Sequence, residues 1–363
     1  MKLLHTESSL GWGGQEIRIV NESNLVRRYR PSFDVAIVCC RQSQFSERAD
    51  HDVRLVHADI SRKSIRCLLN LICVFKREQP DLVVTHSSTD SWLTVIARFV
   101  MAKKFRIIRV RHVSSPISGG IATRFLYDQA EAVVTTSSEI RKHVIEKTRL
   151  SADKVLSIPT GVDRAIFSYN RSQIKRSVDK NFPCKETTLK VALMVATLRS
   201  WKGHRYLIEA LPKLAEWEVW IVGDGPQLKS LQELVSDLDL ISRVTFFGHQ
   251  HDVVKFMKLA DLFVQPSYAN EGISQSVLQA MSMELLVVAG DISGLNEVVR
   301  DKENGILVTP KSVDSIVEAF RWIVANEEKL LMLQREAVTT VENKYSDDTM
   351  VESMLRLFES NRI

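Results

Sequence analysis

Residues 262–281 read LFVQPSYANEGISQSVLQAM, the pattern of a buried strand, a turn and a helix in direct succession. The apolar run Leu262–Gln265 predicts the strand, and the segment from Ser274 onward predicts the helix. Glu271 and Gly272 stand at the turn between them. A helix N-terminus presents unpaired N–H groups and a partial positive charge, so this turn suits a phosphate or sugar hydroxyls that hydrogen-bond Glu271. The stretch predicts a binding site for a phosphorylated sugar.

The rest of the chain repeats this alternation of short apolar runs and longer amphipathic stretches, which is typical of βα units and parallel sheets. In the first half, strands are predicted at Lys2–His5, Val35–Cys39, Leu82–Thr85, Ile107–Val110, Ala132–Thr135 and Val155–Ile158. In the second half, they are predicted at Val191–Ala196, Glu218–Val222, Val244–Phe247, Leu262–Gln265, Leu286–Ala289 and Gly305–Val308. We therefore expect an α/β protein with two similar doubly wound halves.

The length of the chain also favours two domains, because 363 residues exceed what one ordinary core accommodates. Pro159–Asp163 and the polar stretch to about Thr188 carry turn residues and weak periodicity, as expected of a linker. We place the first domain at residues 1–165 and the second at residues 166–346.

Composition indicates a globular protein, with 45% hydrophobic and 26% charged residues. No apolar run approaches the roughly 18 residues that span a bilayer, and the N-terminus runs directly into a strand, so we expect a cytosolic protein. The cysteines are odd in number and lack CxxC spacing, which predicts reduced, mostly buried thiols rather than disulfides or a zinc site: Cys39, Cys40, Cys67, Cys73 and Cys184.

Charge is unevenly distributed along the chain. Residues 1–165 carry 26 basic and 17 acidic residues, whereas residues 166–363 carry 23 and 27. The basic first half suits an anionic partner, such as the cytoplasmic face of the inner membrane or a phosphorylated glycolipid, although solvated helix faces account for most such charges. We expect no nucleic-acid partner.

Two further segments follow first strands and carry groups suited to anions. Residues 10–16, LGWGGQE, contain Gly13 and Gly14, where backbone N–H groups can approach an anion without a Cβ clash. The spacing is not GxGxxG, so no dinucleotide cofactor is indicated. Residues 198–204, LRSWKGH, place Arg199 and Lys202 where they can neutralise a departing diphosphate.

The remaining candidates are turns at other strand ends. Glycine turns occur at VGDGP (222–226) with Gly223 and Gly225, at FGH (247–249) with His249, and at GDISGLNE (290–297) with Glu297. Residues 109–116, RVRHVSSP, carry Arg109, Arg111 and His112. Asp50-His51-Asp52 and Asp237-Leu238-Asp239 have DxD spacing but follow no convincing buried strand, so we interpret them as surface carboxylates.

Taken alone, Glu271 and Gly272 also fit an ordinary capped turn between a strand and a helix. The other segments favour a functional site. The stretch around Glu271 resembles the acidic motif of retaining glycosyltransferases of family 4, in which two glutamates are separated by seven residues. Here the second position is Gln279. The PTGVD segment at 159–163 and the glycine turns resemble family elements in the same order, and the resemblance covers nearly the whole chain.

The resemblance implies a GT-B fold, in which two Rossmann-like domains face a cleft and the C-terminal helix, within residues 347–363, packs back on the first domain. It implies that the first domain binds the acceptor and the second the nucleotide sugar. It also implies transfer from a nucleotide diphosphate sugar to a glycan or glycolipid hydroxyl, with retention and without metal or other cofactor, as in the synthesis of lipopolysaccharide or another surface polysaccharide.

Site roles follow from the same resemblance. Glu271, Lys202, Arg199 and His112 would act at the reacting sugar and its leaving phosphate, with His112 hydrogen-bonding a sugar hydroxyl. Arg199 lies three residues before Lys202, whereas the family arginine lies five before, at Thr197 here. Donor contacts would come from Gly13, Gly14, Gly223, Gly225, His249, Gly272, Ile273, Ser274, Gln279 and Glu297. Arg109 and Arg111 would face the acceptor or a phosphate.

Two other functions fit the same frame, since a fold does not fix an activity. A sugar-nucleotide epimerase or phosphorylase would release an epimer or a sugar phosphate without any acceptor. A non-catalytic sugar-nucleotide binding protein is the second alternative, because Gln279 replaces the second glutamate.

Overall fold

The computed structural model describes residues 1–49, 53–112, 117–169, 189–269 and 271–360. The chain divides into two compact units. The first comprises Met1–Thr160 together with the C-terminal helix, and the second comprises Gly161–Ser346.

The first unit is built around a parallel sheet. Its strands are β1 (Lys2–Glu7), β2 (Asp34–Cys39), β3 (Arg54–His57), β4 (Leu82–Thr85), β5 (Arg106–Arg111), β6 (Ala132–Thr135) and β7 (Val155–Ser157). Its helices are α1 (Gly14–Tyr29), α2 (Phe45–Arg48), α3 (Ile65–Glu78), α4 (Ser88–Met101), α5 (Ile121–Asp128), α6 (Ser138–Thr148) and, at the C-terminus, α13 (Asp347–Glu359). The strand order is β3-β2-β1-β4-β5-β6-β7.

Helices cover both faces of this sheet, which explains why its strands are almost continuously apolar. On one face, α3 and α4 pack with residues such as Phe75 and Leu93. On the other face, α13 supplies Met354, Leu355 and Phe358 to the core that also holds Leu3 of β1. The C-terminal helix is therefore part of the core of the first unit.

The second unit repeats this plan. Its strands are β8 (Lys190–Val195), β9 (Trp217–Val222), β10 (Val244–Phe246), β11 (Leu262–Gln265), β12 (Leu286–Gly290) and β13 (Ile306–Val308), in the order β10-β9-β8-β11-β12-β13. Its helices are α7 (His204–Ala210), α8 (Leu228–Asp237), α9 (Val254–Leu259), α10 (Gln275–Ser282), α11 (Val313–Ala325) and α12 (Glu327–Lys344). Both sheets reverse their strand order beside the first strand of the unit, which is where ligands bind in open α/β sheets.

Every strand predicted from the sequence is present, but β3 was missed. Arg54–His57 is four residues long and lies at the edge of the sheet, and Val56 is its one buried residue, with Arg54 and His57 exposed. A short edge strand lacks the apolar run by which the other strands are recognised.

The division between the units falls between Thr160 and Gly161, five residues before the boundary expected at 165/166. Val162 explains the difference, because its N–H donates to the Tyr345 carbonyl at 2.8 Å and its side chain lies in the core of the second unit. The polar composition of residues 159–188 concealed this early attachment.

Two remaining expectations concern cysteines and membrane spans. Cys39, Cys40 and Cys67 are buried free thiols and Cys73 is an exposed one, while Cys184 lies outside the described residues. No helix within the described residues is long and apolar enough to cross a membrane.

Candidate functional site

The two central candidates, Glu271 and Lys202, meet in the second unit. Lys202 ends a short 3₁₀ turn, Ser200–Lys202, that follows β8, and Glu271 follows β11. Because β8 and β11 are neighbouring parallel strands, the loops at their carboxyl ends come together. The Lys202 Nζ lies 2.6 Å from Glu271 Oε1, and the Lys202 side chain is 19% exposed. The structure therefore joins a cation and a carboxylate at the sheet edge.

The Glu271 carboxylate is held in place by a buried polar network. Its Oε1 accepts hydrogen bonds from Ser267 Oγ at 2.8 Å and from Gln265 Nε2 at 3.3 Å. Gln265 is itself fixed, because its Oε1 accepts from the hydroxyls of Ser274 at 2.9 Å and Ser276 at 3.0 Å. Glu271 is only 8% exposed, and among the described residues these bonds all go to Oε1. Its Oε2 is thus the atom available to accept from a sugar hydroxyl.

The turn that carries Lys202 packs tightly against the turn after β11. Gly203 has φ +86°, and a Cβ there would lie 2.1 Å from the Pro266 carbonyl oxygen. The Tyr268 N–H donates to the Trp201 carbonyl at 2.9 Å. Only glycine fits this close approach in the left-handed region, so the sequence KG is what lets Lys202 reach the carboxylate.

Gly272, Ile273 and Ser274 lead into α10. Ser274 is the N-cap residue, but its hydroxyl bonds Gln265 and caps no N–H of the helix. Gly272 and Ile273 are half-buried, and a Cβ on Gly294 would lie 2.6 Å from the Gly272 carbonyl oxygen. The helix start is therefore placed by a neighbouring loop and lacks a side-chain cap.

Arg199 stands apart from the Glu271–Lys202 pair. Its side chain is exposed, and the guanidinium carbon lies 5.6 Å from the Trp201 ring centroid. Thr197, at the spacing of the family arginine, is also exposed. The structure brings Lys202 to Glu271 and leaves Arg199 at the surface beside them.

Gly223 and Gly225 lie in the turn after β9, the strand on the other side of β8. The Leu198 N–H donates to the Asp224 carbonyl at 3.0 Å, so this turn contacts the segment that leads to Lys202. Turns after β8, β9 and β11 therefore form one continuous edge of the second unit.

The other donor-side candidates lie around this edge. His249 is exposed, with its ring 5.1 Å from that of His251. Gln279 is half-buried on α10, and the Glu297 carbonyl accepts from the Tyr345 hydroxyl at 3.3 Å. The hydrogen bonds of Glu271 and Lys202 within the described residues include none of these three side chains.

In the first unit, the glycine-rich segment lies above a buried carboxyl group. Gly13 is the N-cap residue of α1, and Gly14 begins the helix. Beneath them, Glu7 is fully buried at the end of β1 and accepts a hydrogen bond from the Gln15 amide. Burial and, after it, the Asp90 carboxylate raise the pKa of Glu7 to about 8. Glu7 is therefore a neutral acid at pH 7.

Three histidines form a hydrogen-bonded chain in the same unit. His5 Nδ1 lies 2.9 Å from His86 Nε2, and His86 Nδ1 lies 2.9 Å from His112 Nε2. These residues lie on or just after β1, β4 and β5, which are consecutive in the sheet. His5 is fully buried, His86 nearly so and His112 half-buried. The histidine chain thus leads from the buried His5 to the half-buried His112.

The central histidine is held by the start of α4. Asp90 Oδ2 accepts from the His86 N–H at 2.8 Å and from Thr6 Oγ1 at 2.9 Å. Asp90 also forms a capping box with Ser87, the N-cap residue of α4. The sequence HSSTD therefore starts a helix and fixes His86 at once.

The hydrogen bonds between the three histidines run in one direction. Burial, assisted by the positive charge of Arg18, lowers the pKa of His5 to about 3 and that of His112 well below its usual range. Burial also lowers the pKa of His86 well below its usual range, so all three rings are neutral at pH 7 and each shared hydrogen bond has one donor. His5 Nε2 has no partner among the described residues, and a lone pair there suits the charge of Arg18 better than an N–H. His5 then donates to His86, His86 donates to His112, and His112 carries its proton on Nδ1.

Arg109, expected with Arg111 on the acceptor side or at a phosphate, lies in the interior of the first unit. It is 6% exposed, and its guanidinium carbon lies 4.5 Å from the Tyr127 ring centroid. Arg111 is half-buried and donates to the Tyr127 hydroxyl at 3.2 Å. Both arginines point to the same face because strand side chains alternate, and α5 covers that face with Tyr127.

With this geometry established, comparison with known proteins identifies the family. The model for glycosyltransferase family 4 matches residues 12–165, and the model for glycosyl transferases group 1 matches residues 176–339. Together they span both units. The chain belongs to glycosyltransferase family 4.

Two curated relatives of this family 4 glycosyltransferase are themselves glycosyltransferases, one of them in lipopolysaccharide core biosynthesis. It is 26% identical over 310 residues, 79% of each protein, to the Escherichia coli UDP-Gal:α-D-GlcNAc-diphosphoundecaprenol α-1,3-galactosyltransferase. It is 25% identical over 286 residues, 78% of this chain and 77% of the relative, to the lipopolysaccharide core biosynthesis glycosyltransferase LpsE of Rhizobium meliloti.

Solved structures show the fold of this family 4 glycosyltransferase. The crystal structure of Anabaena HepE in complex with UDP matches with a TM-score of 0.81 at 19% identity, over 99% of both chains. The two Rossmann-like units are therefore those of a GT-B glycosyltransferase.

Sequence reasoning missed several polar groups of this glycosyltransferase. Gln265 and Ser267, which hold Glu271, and His5 and His86, which hold His112, are all buried. Each lies within or directly after an apolar strand, where a buried polar side chain needs a partner. A polar residue at the end of an apolar strand is therefore a signal for a site, and the strand order of a doubly wound sheet would have brought these residues together.

Of the two DxD segments, only Asp237–Asp239 lies within the described residues. Asp237 and Asp239 are exposed at the end of α8, and residues 50–52 lie outside the described residues. Among the residues that the structure describes, no group of three or more His, Cys, Asp or Glu side chains is placed to hold a metal ion.

Proposed function

We propose that this family 4 enzyme transfers a sugar from a nucleotide diphosphate sugar to a hydroxyl of a glycan or glycolipid, with retention of configuration and without a metal ion. The observation that carries the proposal is the buried Glu271 carboxylate beside Lys202 at the carboxyl edge of the second sheet, 2.6 Å apart. The donor sugar needs a fixed hydrogen-bond acceptor for its hydroxyls, and the leaving diphosphate needs a cation to stabilise its charge.

In the proposed reaction, the bond between the anomeric carbon and the phosphate oxygen breaks, and its electron pair stays on the phosphate. Lys202, assisted by Arg199, stabilises that charge. The acceptor oxygen bonds the anomeric carbon from the same face and passes its proton to the departing phosphate. Glu271 Oε2 and the backbone N–H groups of Gly272 and Ile273 hold the donor sugar, with Ser274 at the helix start.

Other residues would complete the donor site. Gln279 would hydrogen-bond the ribose with its single carbonyl oxygen, where the family has a carboxylate. Gly223, Gly225, His249 and Glu297 lie around the same edge and would contact the nucleotide. In the first unit, His112 would donate from Nδ1 to a sugar hydroxyl, while Gly13 and Gly14 would meet the diphosphate.

We place the reaction in lipopolysaccharide or another surface polysaccharide, at the cytoplasmic face of the inner membrane. The support is the lipopolysaccharide core biosynthesis role of the Rhizobium relative, the GlcNAc-diphosphoundecaprenol acceptor of the Escherichia coli relative and the basic first half of the chain. Binding to vesicles of anionic lipid that weakens with added salt would agree with this location. Equal absence of binding at low and high salt would contradict the membrane part.

The first experiment measures thermal stabilisation by UDP-, GDP- and ADP-sugars in the wild type and in Lys202→Ala. Because a ligand that binds only the folded state raises the melting temperature, one donor class should stabilise the wild type and lose most of that effect in the variant. No stabilisation by any donor would overturn the donor-site assignment.

The second experiment follows turnover with the donor so identified. Transfer to an acceptor with the donor anomeric configuration, seen by NMR and unchanged by EDTA, is the expected result. Release of an epimer or a sugar phosphate without acceptor would show an epimerase or phosphorylase instead. An inverted product, or activity lost with EDTA and restored by a divalent ion, would contradict retention or metal independence.

A further inference from the structure

The first unit contains a further candidate binding feature, a cavity that adjoins the glycine-rich segment through Leu10. A cavity of about 750 Å³ opens at the carboxyl ends of β1, β2 and β3 and against the start of α3. Its size is in the range of small-molecule sites. Because it lies entirely within the first unit, its lining is set by that unit alone.

The lining of this cavity is strongly basic. Arg41 follows β2, Arg62 follows β3, and Arg66 lies in the first turn of α3. Within the described part of the chain, none of these three guanidinium groups makes a hydrogen bond or ion pair with a protein side chain. Three guanidinium groups that have no side-chain partner among the described residues, together in one cavity, are suited to a multiply charged anion.

Among the described residues that line the cavity, Asp59 is the one acid, against three arginines. Asp59 Oδ1 accepts from the Ser61 N–H at 3.2 Å and from the Ser61 hydroxyl at 2.8 Å. These hydrogen bonds and the nearby Arg66 hold the pKa of Asp59 below its usual value, so it remains a carboxylate with its own partners. One negative charge against three positive charges leaves the cavity cationic.

The start of α3 adds to this imbalance. Ser64 caps the helix by accepting from the Cys67 N–H at 3.2 Å, and the first turn holds Arg66 and no acidic residue. A cation in the first turn is unfavourable because the helix dipole is positive there. Placing Arg66 there therefore costs stability, and such a cost at a cavity mouth indicates a ligand that offsets it. A bound anion would interact favourably with both the helix dipole and the guanidinium groups.

We propose that this cavity binds a phosphate group of the acceptor, so that the enzyme glycosylates a phosphorylated saccharide. This inference rests on the proposed transferase function and names the class of its acceptor. A phosphate offers oxygens for paired contacts with more than one guanidinium, and the remaining volume accommodates sugar. The phosphate can be a monoester on a sugar ring or the diphosphate that joins a sugar to a lipid.

Binding of inorganic anions tests the cavity directly. The full chain carrying Lys202→Ala, which removes the donor-side cation, is titrated calorimetrically with orthophosphate and with pyrophosphate. The pocket variant adds Arg41→Gln, Arg62→Gln and Arg66→Gln. The control variant instead adds Arg28→Gln, Lys76→Gln and Lys104→Gln, which removes three exposed charges of the first unit that do not line the cavity.

We expect anion binding that survives in the control variant and weakens at least about tenfold in the pocket variant, because each lost charged contact removes on the order of 1.4 kcal/mol or more. Preference for orthophosphate indicates a phosphomonoester, and preference for pyrophosphate indicates a diphosphate link. Equal affinities in the pocket and control variants, or no binding in either, would overturn the proposal. The same titrations are repeated with Lys202 intact. There, the pocket variant should bind fewer anions than the wild type, whereas the control variant should bind the same number.

Donor stabilisation separates this proposal from the proposed function. With Lys202 intact, the pocket variant should keep the melting shift produced by the nucleotide sugar. If the wild type shows no such shift, the transferase site fails. If the shift is present but pyrophosphate and orthophosphate bind all variants equally, only the phosphorylated acceptor fails.

Discussion

At the scale of single residues, the chemistry depends on side chains whose position is fixed by buried partners. Glu271 is oriented by Ser267 and Gln265, so its free oxygen faces a defined direction. A carboxylate that needs no reorganisation when the sugar arrives contributes more to the transition state than a mobile one.

Substitution of Glu271 by Gln tests this point. The amide keeps the shape but loses the charge beside Lys202, so kcat/KM should fall about 100-fold, within the range for removing one preorganised electrostatic contact. Glu233→Gln, on the exposed face of α8, is the control and should be neutral. A Glu271→Gln enzyme with wild-type kcat/KM would remove the carboxylate from the mechanism.

The histidine chain makes a second residue-scale prediction. In His86→Phe, His112 loses the donor that keeps its proton on Nδ1, so kcat should fall about 10-fold or more while the donor KM changes little. Imidazole ¹⁵N shifts should report the Nδ1–H tautomer of His112 in the wild type and a mixture in the variant. His143→Phe, outside the chain, should change neither; an unchanged tautomer in His86→Phe would contradict the positioning role.

At the scale of elements, loop and helix starts decide where charged groups lie. The 3₁₀ turn at 200–202 reaches the β11 turn only because Gly203 adopts φ +86° against Pro266. The glycine-rich start of α1 lies over a carboxyl group that is neutral at pH 7. Both features are local in sequence but take their effect from a neighbouring strand.

Gly203→Ala should therefore damage both stability and donor binding. A Cβ that meets the Pro266 carbonyl at 2.1 Å forces the two turns apart, at a cost of about 2 kcal/mol or more for the left-handed residue and the clash. Denaturant unfolding measures the loss, and donor-induced stabilisation should weaken with it. Gly14→Ala, where a Cβ meets no atom within 4 Å, is the matched control for stability.

The acid beneath the α1 loop predicts a pH dependence. Because the pKa of Glu7 is about 8 in the folded state and its unfolded reference is 4.5, its contribution is fully present below pH 4.5 and is lost as pH rises through 8. Glu7→Gln removes this loss, so its stability relative to the wild type should rise by on the order of 3 kcal/mol between pH 5 and pH 9.

Melting curves across that pH range provide the measurement. The groups that face Glu7 are Asp90, Gln15, Ser9 and Glu16, and all are retained in the variant. Glu47→Gln, on the exposed α2, should show the same pH profile as the wild type. Parallel profiles for Glu7→Gln and the wild type would show that Glu7 does not titrate in this range.

At the scale of the whole molecule, the chain builds two units and returns to the first with its last helix. Residues 161–346 form the second unit, and α13 then closes the core of the first. Because the two units have separate cores, a core substitution should lower the stability of its own unit and leave the other unchanged.

Phe358→Ala and Phe320→Ala test this division. Each removes a side chain that is only 1% exposed, in the first and second units respectively, and should cost about 3–5 kcal/mol. Hydrogen exchange should speed up in β1 and α1 for Phe358→Ala and in β9 and α11 for Phe320→Ala. Faster exchange across both units in either variant would contradict independent cores.

The sequence by itself determined the repeated βα pattern, the two doubly wound units and the Glu271 turn, because apolar periodicity and turn chemistry are local properties. It missed β3, whose four residues have no apolar run, and it placed the boundary five residues late. Only the tertiary structure decided that Lys202 contacts Glu271 while Arg199 does not, that Arg109 is buried under Tyr127, and that three histidines form a chain. Those contacts join residues far apart in the chain, and the order of strands in each sheet brings them together, which no local pattern encodes.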